Sequence, residues 1–127
     1  NLTLSDADGT NITAFVGPGR EPEFSDAAHA TNHRGLVPDD PQLARRLRSV
    51  ERQDALISLE RRGASAESVV KSFGSPGLRS LDFEAGFGTL YTAEYRPQRG
   101  TVAYHWPART WERGFRSASE QIRVRLR

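Results

Sequence analysis

The sequence predicts an α+β fold in which two β-hairpins flank a helical pair. Three observations carry this. Residues 11–16 alternate polar and apolar, and over 89–95 Thr89, Tyr91, Ala93 and Tyr95 fall on one face and Leu90, Thr92 and Glu94 on the other, the period-2 pattern of a strand. Between them, Leu43, Leu47, Val50, Leu56, Ile57 and Leu59 recur at helical spacing. Gly, Pro and Asp clusters separate these segments. Strand pairs on either side of helices make a layered α+β arrangement.

The first hairpin spans residues 2–16. Asp6-Ala-Asp-Gly9 is its turn, because Asp and Gly accept the backbone angles a tight reversal needs. Residues 20–40 have no period and hold Pro22, Pro38 and the three-residue run Thr31-Asn32-His33, so a long loop is expected there.

Helices are expected over residues 41–73. Asp40 before Pro41 is a cap followed by proline at the first helical position. The first helix should run to Gly63, with Arg45, Arg46, Arg48 and Arg52 facing outward. Ser65 caps a second, shorter helix, with Glu67 in its first turn, and Gly74 and Pro76 stop it.

A second hairpin is expected over residues 88–106, turning at Pro97-Gln-Arg-Gly100. Residues 119–127 alternate Ile122, Val124 and Leu126 with arginines and read as a tail strand.

At 127 residues and 14.1 kDa, the chain amounts to one domain or to half of a larger one. It lacks an initiating Met, so a processed, trimmed or partial chain is expected. No apolar run approaches the ~20 residues that span a bilayer. No basic segment followed by an apolar core reads as a signal peptide, and a cytoplasmic location is expected. Cysteine is absent, which excludes disulfides, cysteine–zinc sites and a cysteine nucleophile within this chain.

Of the 18 basic residues only Lys71 is lysine. Residues 1–40 carry two arginines against seven acids, and residues 109–127 carry six arginines against two glutamates. A basic tail of this kind binds nucleic acid or an acidic protein face. The first helix interleaves its arginines with Glu51, Asp54 and Glu60 and has no aromatics among them for base stacking, so nucleic acid is not the expected partner.

Thr31-Asn32-His33 is the most chemical tripeptide. Asn32 either donates its side-chain N–H to a developing oxyanion or makes a local turn. His29, His33 and His105 are the candidate metal ligands, but no His-Glu-x-x-His pattern exists, and neither a metal nor a cofactor is expected. There is no Gly-x-Ser-x-Gly elbow for a serine nucleophile. Gly17-Pro-Gly19 lacks phosphate-loop spacing, and Asp6-Ala-Asp-Gly9 opens like a calcium loop without its closing Glu. The sequons at Asn1 and Asn11 fall in expected strands and carry no argument.

Three segments together resemble the C-terminal part of the acyl-coenzyme A:6-aminopenicillanic acid acyltransferase family, the linear amide C–N hydrolases among the N-terminal nucleophile hydrolases. They are Asn1-Leu-Thr-Leu-Ser-Asp-Ala-Asp-Gly9, Ala30-Thr-Asn-His33, and Thr89-Leu-Tyr-Thr-Ala-Glu-Tyr-Arg-Pro97 followed by Gly100, Tyr104-His-Trp-Pro107, Trp111 and Phe115. Their order and spacing agree over nearly the whole chain. Ala108 departs from the glycine that members often carry after Trp-Pro.

The resemblance implies an αββα sandwich of which this chain is roughly the C-terminal half. It implies a cysteine nucleophile at a processed N-terminus, using its own α-amino group as base and attacking an amide or thioester carbonyl. Asn32 occupies the position of the family's oxyanion-stabilising asparagine, and Thr31 and His33 would bind substrate, within a loop from His29 to Gly35 that lines the acyl pocket. The chain alone would be inactive, and its partners would be a companion chain or upstream segment carrying the cysteine, an acyl-amide or acyl-thioester substrate, and alternatively a second copy. The competing expectation is a non-enzymatic, arginine-rich interaction domain.

Overall fold

A computed structural model of the chain describes residues 1–34 and 38–125. It is a mixed α+β structure with three helices and three small antiparallel sheets among the described residues. The chain divides into two compact units, Asn1–Ala64 and Ser65–Arg127.

In the first unit, strands β1 (Leu2–Ser5) and β2 (Asn11–Phe15) form the expected hairpin, with Leu2 opposite Ala14 and Ser5 opposite Asn11. Its turn is closed by Asp6, whose carboxylate accepts the backbone N–H groups of Asp8 at 3.0 Å and Thr10 at 2.8 Å. These bonds, led by that from Thr10, hold the Asp6 carboxyl below its usual range. Gly9 supplies the left-handed residue, with φ 90°.

The expected loop is not wholly irregular. Glu23–Ser25 forms a third strand, β3, on the free edge of β2, with Phe24 opposite Ala14. The register puts Leu2, Leu4, Ile12 and Phe24 on one face of this sheet, and all four are exposed. Thr13 and Ala14 are buried.

The expected single helix is two. Helix α1 (Pro41–Leu47) starts where the sequence places it, with the Asp40 carboxylate accepting the N–H groups of Gln42 and Leu43, both at 3.0 Å. It ends at Arg48, which takes a left-handed conformation at φ 51°. Helix α2 (Ser49–Arg61) then starts in a new phase. The apolar stripe therefore does not run straight: Leu43 is 46% exposed, while Ala44, Ser49 and Leu59 are buried.

In the second unit, Ser65 caps α3 (Ala66–Phe73) by accepting the Ser68 N–H at 3.3 Å, as expected. A small unpredicted hairpin follows, β4 (Leu81–Asp82) against β5 (Phe87–Gly88). The main sheet is β6 (Thr92–Arg96), β7 (Thr101–Trp106) and β8 (Arg109–Gly114) in that order, with β7 central. The reversal between β6 and β7 is a short 3-10 turn over Pro97–Arg99 closed by Gly100 at φ 62°.

Two expectations need correction here. The second hairpin starts at Thr92 rather than 88, because Gly88 pairs with Leu81 and the Thr89 N–H bonds the Ser80 carbonyl at 2.8 Å. The last strand is Arg109–Gly114 and not the tail: residues 119–125 form no strand. Alternation alone does not make a strand: among the described residues the outer edges of β6 and β8 stay unpaired, and residues 119–125 join neither. Leu126 and Arg127 of the expected tail, and Gly35 of the expected loop site, lie outside the described residues.

Candidate functional site

The Thr31-Asn32-His33 loop of the first unit is held against the first turns of α2. Thr31 is buried, its carbonyl accepting the Asn1 side-chain amide N–H. Its hydroxyl lies 3.3 Å from His33 Nδ1. His33 Nδ1 is 2.8 Å from the Ser49 hydroxyl, and Nε2 is 2.7 Å from Gln53 Oε1. A carbonyl oxygen only accepts, so Nε2 carries the proton and Nδ1 accepts from Ser49. The Ser49 hydroxyl also approaches the Ala44 carbonyl at 3.5 Å, one of the acceptors that the end of α1 leaves over. With no exposed surface, Ser49 is a structural hydroxyl rather than a nucleophile.

Asn32 is exposed. Its Oδ1 accepts a hydrogen bond from Arg52 Nη1 at 3.1 Å. Arginine only donates, so this bond assigns the amide: oxygen toward Arg52, Nδ2 away from it. The oxygen is thus spent on an arginine and not on a turn of the local backbone. Arg52 is half-buried and does not face outward with Arg45, Arg46 and Arg48, as the charge pattern suggested.

Ser49, Arg52 and Gln53 stand at i, i+3 and i+4 on one face of α2. The left-handed Arg48 sets the phase that turns this face to the loop. Sequence reading missed all three residues. The signal was present as a polar i, i+3, i+4 triplet, but arginines and glutamates around it made the whole face look solvated.

Beside the loop lies a cleft of about 400 Å³, lined by Asn1, Asn32 and His33 and by the apolar Phe15, Val16 and Leu43. The Arg20–Asp39 ion pair, 3.1 Å long, lies at its border. Thr31 points inward and does not line it, whereas His33 borders it with both ring nitrogens turned toward α2. His29 Nδ1 stands 3.3 Å from Glu60 Oε2, close enough for an ion pair when protonated but out of hydrogen-bond alignment. No group of three metal-ligating side chains occurs among the described residues.

A separate polar network covers one face of the second unit's sheet. Arg96 grips Glu94 with two bonds of 2.7 and 2.8 Å and also meets Glu112. His105 Nε2 reaches the same Glu94 at 3.0 Å, and its Nδ1 lies 3.2 Å from the Thr110 hydroxyl. The Arg96 guanidinium, helped by His105 and opposed by burial, holds the Glu94 carboxyl below its usual range. Glu94 in turn raises the Arg96 pKa.

No family model, no curated protein and no solved structure matches this chain. Among the described residues, no helix is long and apolar enough to cross a membrane.

Proposed function

We propose that the chain is the C-terminal portion of a cysteine N-terminal nucleophile amidohydrolase or acyltransferase with an αββα sandwich, acting on linear amides or acyl thioesters. The reading rests on the family resemblance, and one observation carries it further: the Arg52 bond that leaves Asn32 Nδ2 as the outward donor beside a cleft whose lining mixes apolar side chains (Phe15, Val16, Leu43) with charged ones (Glu21, Arg34, Asp40). In this reading a thiolate supplied from outside the chain attacks the substrate carbonyl carbon. A C–S bond forms as the carbonyl π pair moves to oxygen. Asn32 Nδ2 donates to that oxyanion. Collapse breaks the C–N or C–S bond of the substrate, and the leaving group departs with the proton taken up by the nucleophile's own α-amino group.

Two further observations support it. The exposed apolar face of Leu2, Leu4, Ile12 and Phe24 suits a covering layer from a companion chain or segment. Several arginines that would otherwise make an interaction surface are matched with carboxylates: Arg20 with Asp39, Arg34 with Glu23, Arg96 with Glu94 and Arg113 with Glu120. That weighs against the arginine-rich interaction domain and against nucleic acid.

The test uses the chain assembled with its cysteine-bearing part. Asn32→Ala is expected to slow acyl-enzyme formation by roughly 100- to 1000-fold with little change in substrate affinity. A normal single-turnover rate in the variant overturns the assignment. The chain alone is expected to be inactive, and salt-sensitive retention on an RNA or DNA column would favour the interaction domain instead.

A further inference from the structure

The second unit holds a cleft of about 420 Å³ between the C-terminal end of α3 and the end of the sheet where β6 begins and β7 finishes. Its walls include the aromatic rings of Phe73, Tyr91 and Trp106. Two cationic side chains, Lys71 and Arg79, line it together with the His105 ring, and among the described residues no Asp or Glu does.

Both halves of this lining are prepared for a ligand. Tyr91 is 50% exposed yet held in place, its ring 5.4 Å edge-on from Tyr104 and 6.2 Å from Trp106. A flat apolar group therefore meets a surface that is already ordered, and little side-chain freedom is lost on stacking. Lys71 takes part in none of the ion pairs among the described residues. The helix end beside it is not a bare row of carbonyls that would repel an anion. The Lys71 carbonyl accepts the Gly74 N–H at 3.1 Å and the Ser75 hydroxyl at 3.4 Å. His105, fixed by Glu94 and Thr110, presents its ring to the cleft rather than a free nitrogen.

We propose that this cleft binds a small organic anion with a flat aromatic body and a carboxylate or phosphate head. The ring lies against Tyr91 and Trp106, and the head meets Lys71 and Arg79. The site is built from the second unit alone and is independent of the Asn32 reading.

The test titrates the full chain with naphthoate, naphthyl phosphate and neutral naphthylmethanol, following tryptophan fluorescence and amide NMR shifts. The better anion is expected to bind at least about tenfold more tightly than the neutral probe, with the margin shrinking as salt rises. Lys71→Gln should cut that margin several-fold and leave the neutral probe unaffected. Tyr91→Ala should weaken all three. Both side chains are exposed, and circular dichroism checks that each variant is folded. Tighter naphthyl phosphate identifies a phosphate head, and tighter naphthoate a carboxylate. Equal affinity for charged and neutral probes, an anion preference unchanged in Lys71→Gln, or no saturable binding to the folded chain overturns the proposal.

Discussion

Arg52 Nη1 donates to Asn32 Oδ1 across 3.1 Å, joining one helix to a loop twenty residues earlier. The bond does two things at once. It anchors an exposed loop residue, and it decides which end of the amide faces outward. A double-mutant cycle on Asn32→Ala and Arg52→Leu, read by urea unfolding, is expected to give a coupling of about 0.5–1.5 kcal/mol. Additive single variants would mean that the two side chains do not interact in solution.

Ser49 satisfies His33 from a fully buried position. Ser49→Ala leaves the His33 Nδ1 acceptor short of its best donor, with only the Thr31 hydroxyl at 3.3 Å still beside it. The expected loss is about 1–3 kcal/mol of stability. His33 should also change its tautomer balance, which nitrogen-detected NMR of the imidazole reads directly. An unchanged melting temperature and imidazole spectrum would exclude the bond.

Arg48 is the only non-glycine residue with positive φ among the described residues. A left-handed backbone costs an ordinary residue about 1–2 kcal/mol, and glycine's extra unfolded-state freedom takes back about 0.5–1 kcal/mol. Arg48→Gly is therefore expected to be neutral or stabilising by up to about 1.5 kcal/mol. If residues 41–61 were one continuous helix in solution, the same change would destabilise it by about 1 kcal/mol. Thermal melts of the two chains separate these outcomes by sign.

Gly88 sits where a side chain would strike the Phe83 ring, a built Cβ lying 1.8 Å from Cδ1. Gly88→Ala must displace that ring from the β4–β5 hairpin, at an expected cost of about 1–3 kcal/mol. Gly77, around which a Cβ would meet nothing within 4 Å, is the control. Equal melting temperatures for Gly88→Ala and Gly77→Ala would contradict the close approach.

The Glu94 carboxyl is held below its ordinary value of 4.5, first by Arg96. A depressed carboxyl contributes stability that is fully present above the unfolded value and is lost as pH falls through the folded one. Stability should therefore drop as pH falls below about 4.5, and Glu94→Gln should flatten that part of the curve. Denaturant titrations across the acid range measure it. An acid limb identical in the two proteins would assign the loss to other carboxylates.

What the sequence determined by itself is local. The Asp6 turn, the Asp40–Pro41 and Ser65 helix starts, and the Gly100 reversal all appear where the sequence put them. Each depends on groups within four residues of one another, so the residue types alone carry the geometry. Asn32 stood out for the same reason: its side chain announces a donor and an acceptor. What it bonds to was decided elsewhere. Arg52 looked like one more solvated arginine until the left-handed Arg48 rotated α2, and the sequence offers no glycine there to mark the break. β8 paired with β7 although its only large apolar residue is Trp111, while the better-alternating residues 119–125 joined neither outer edge of that sheet. A strand edge or a loop side chain takes its partner from wherever the chain returns, sixteen and twenty residues away in the case of the His33 ring. Local periodicity cannot encode that choice, because it is made by the hydrogen-bonding groups left unpaired when the elements pack.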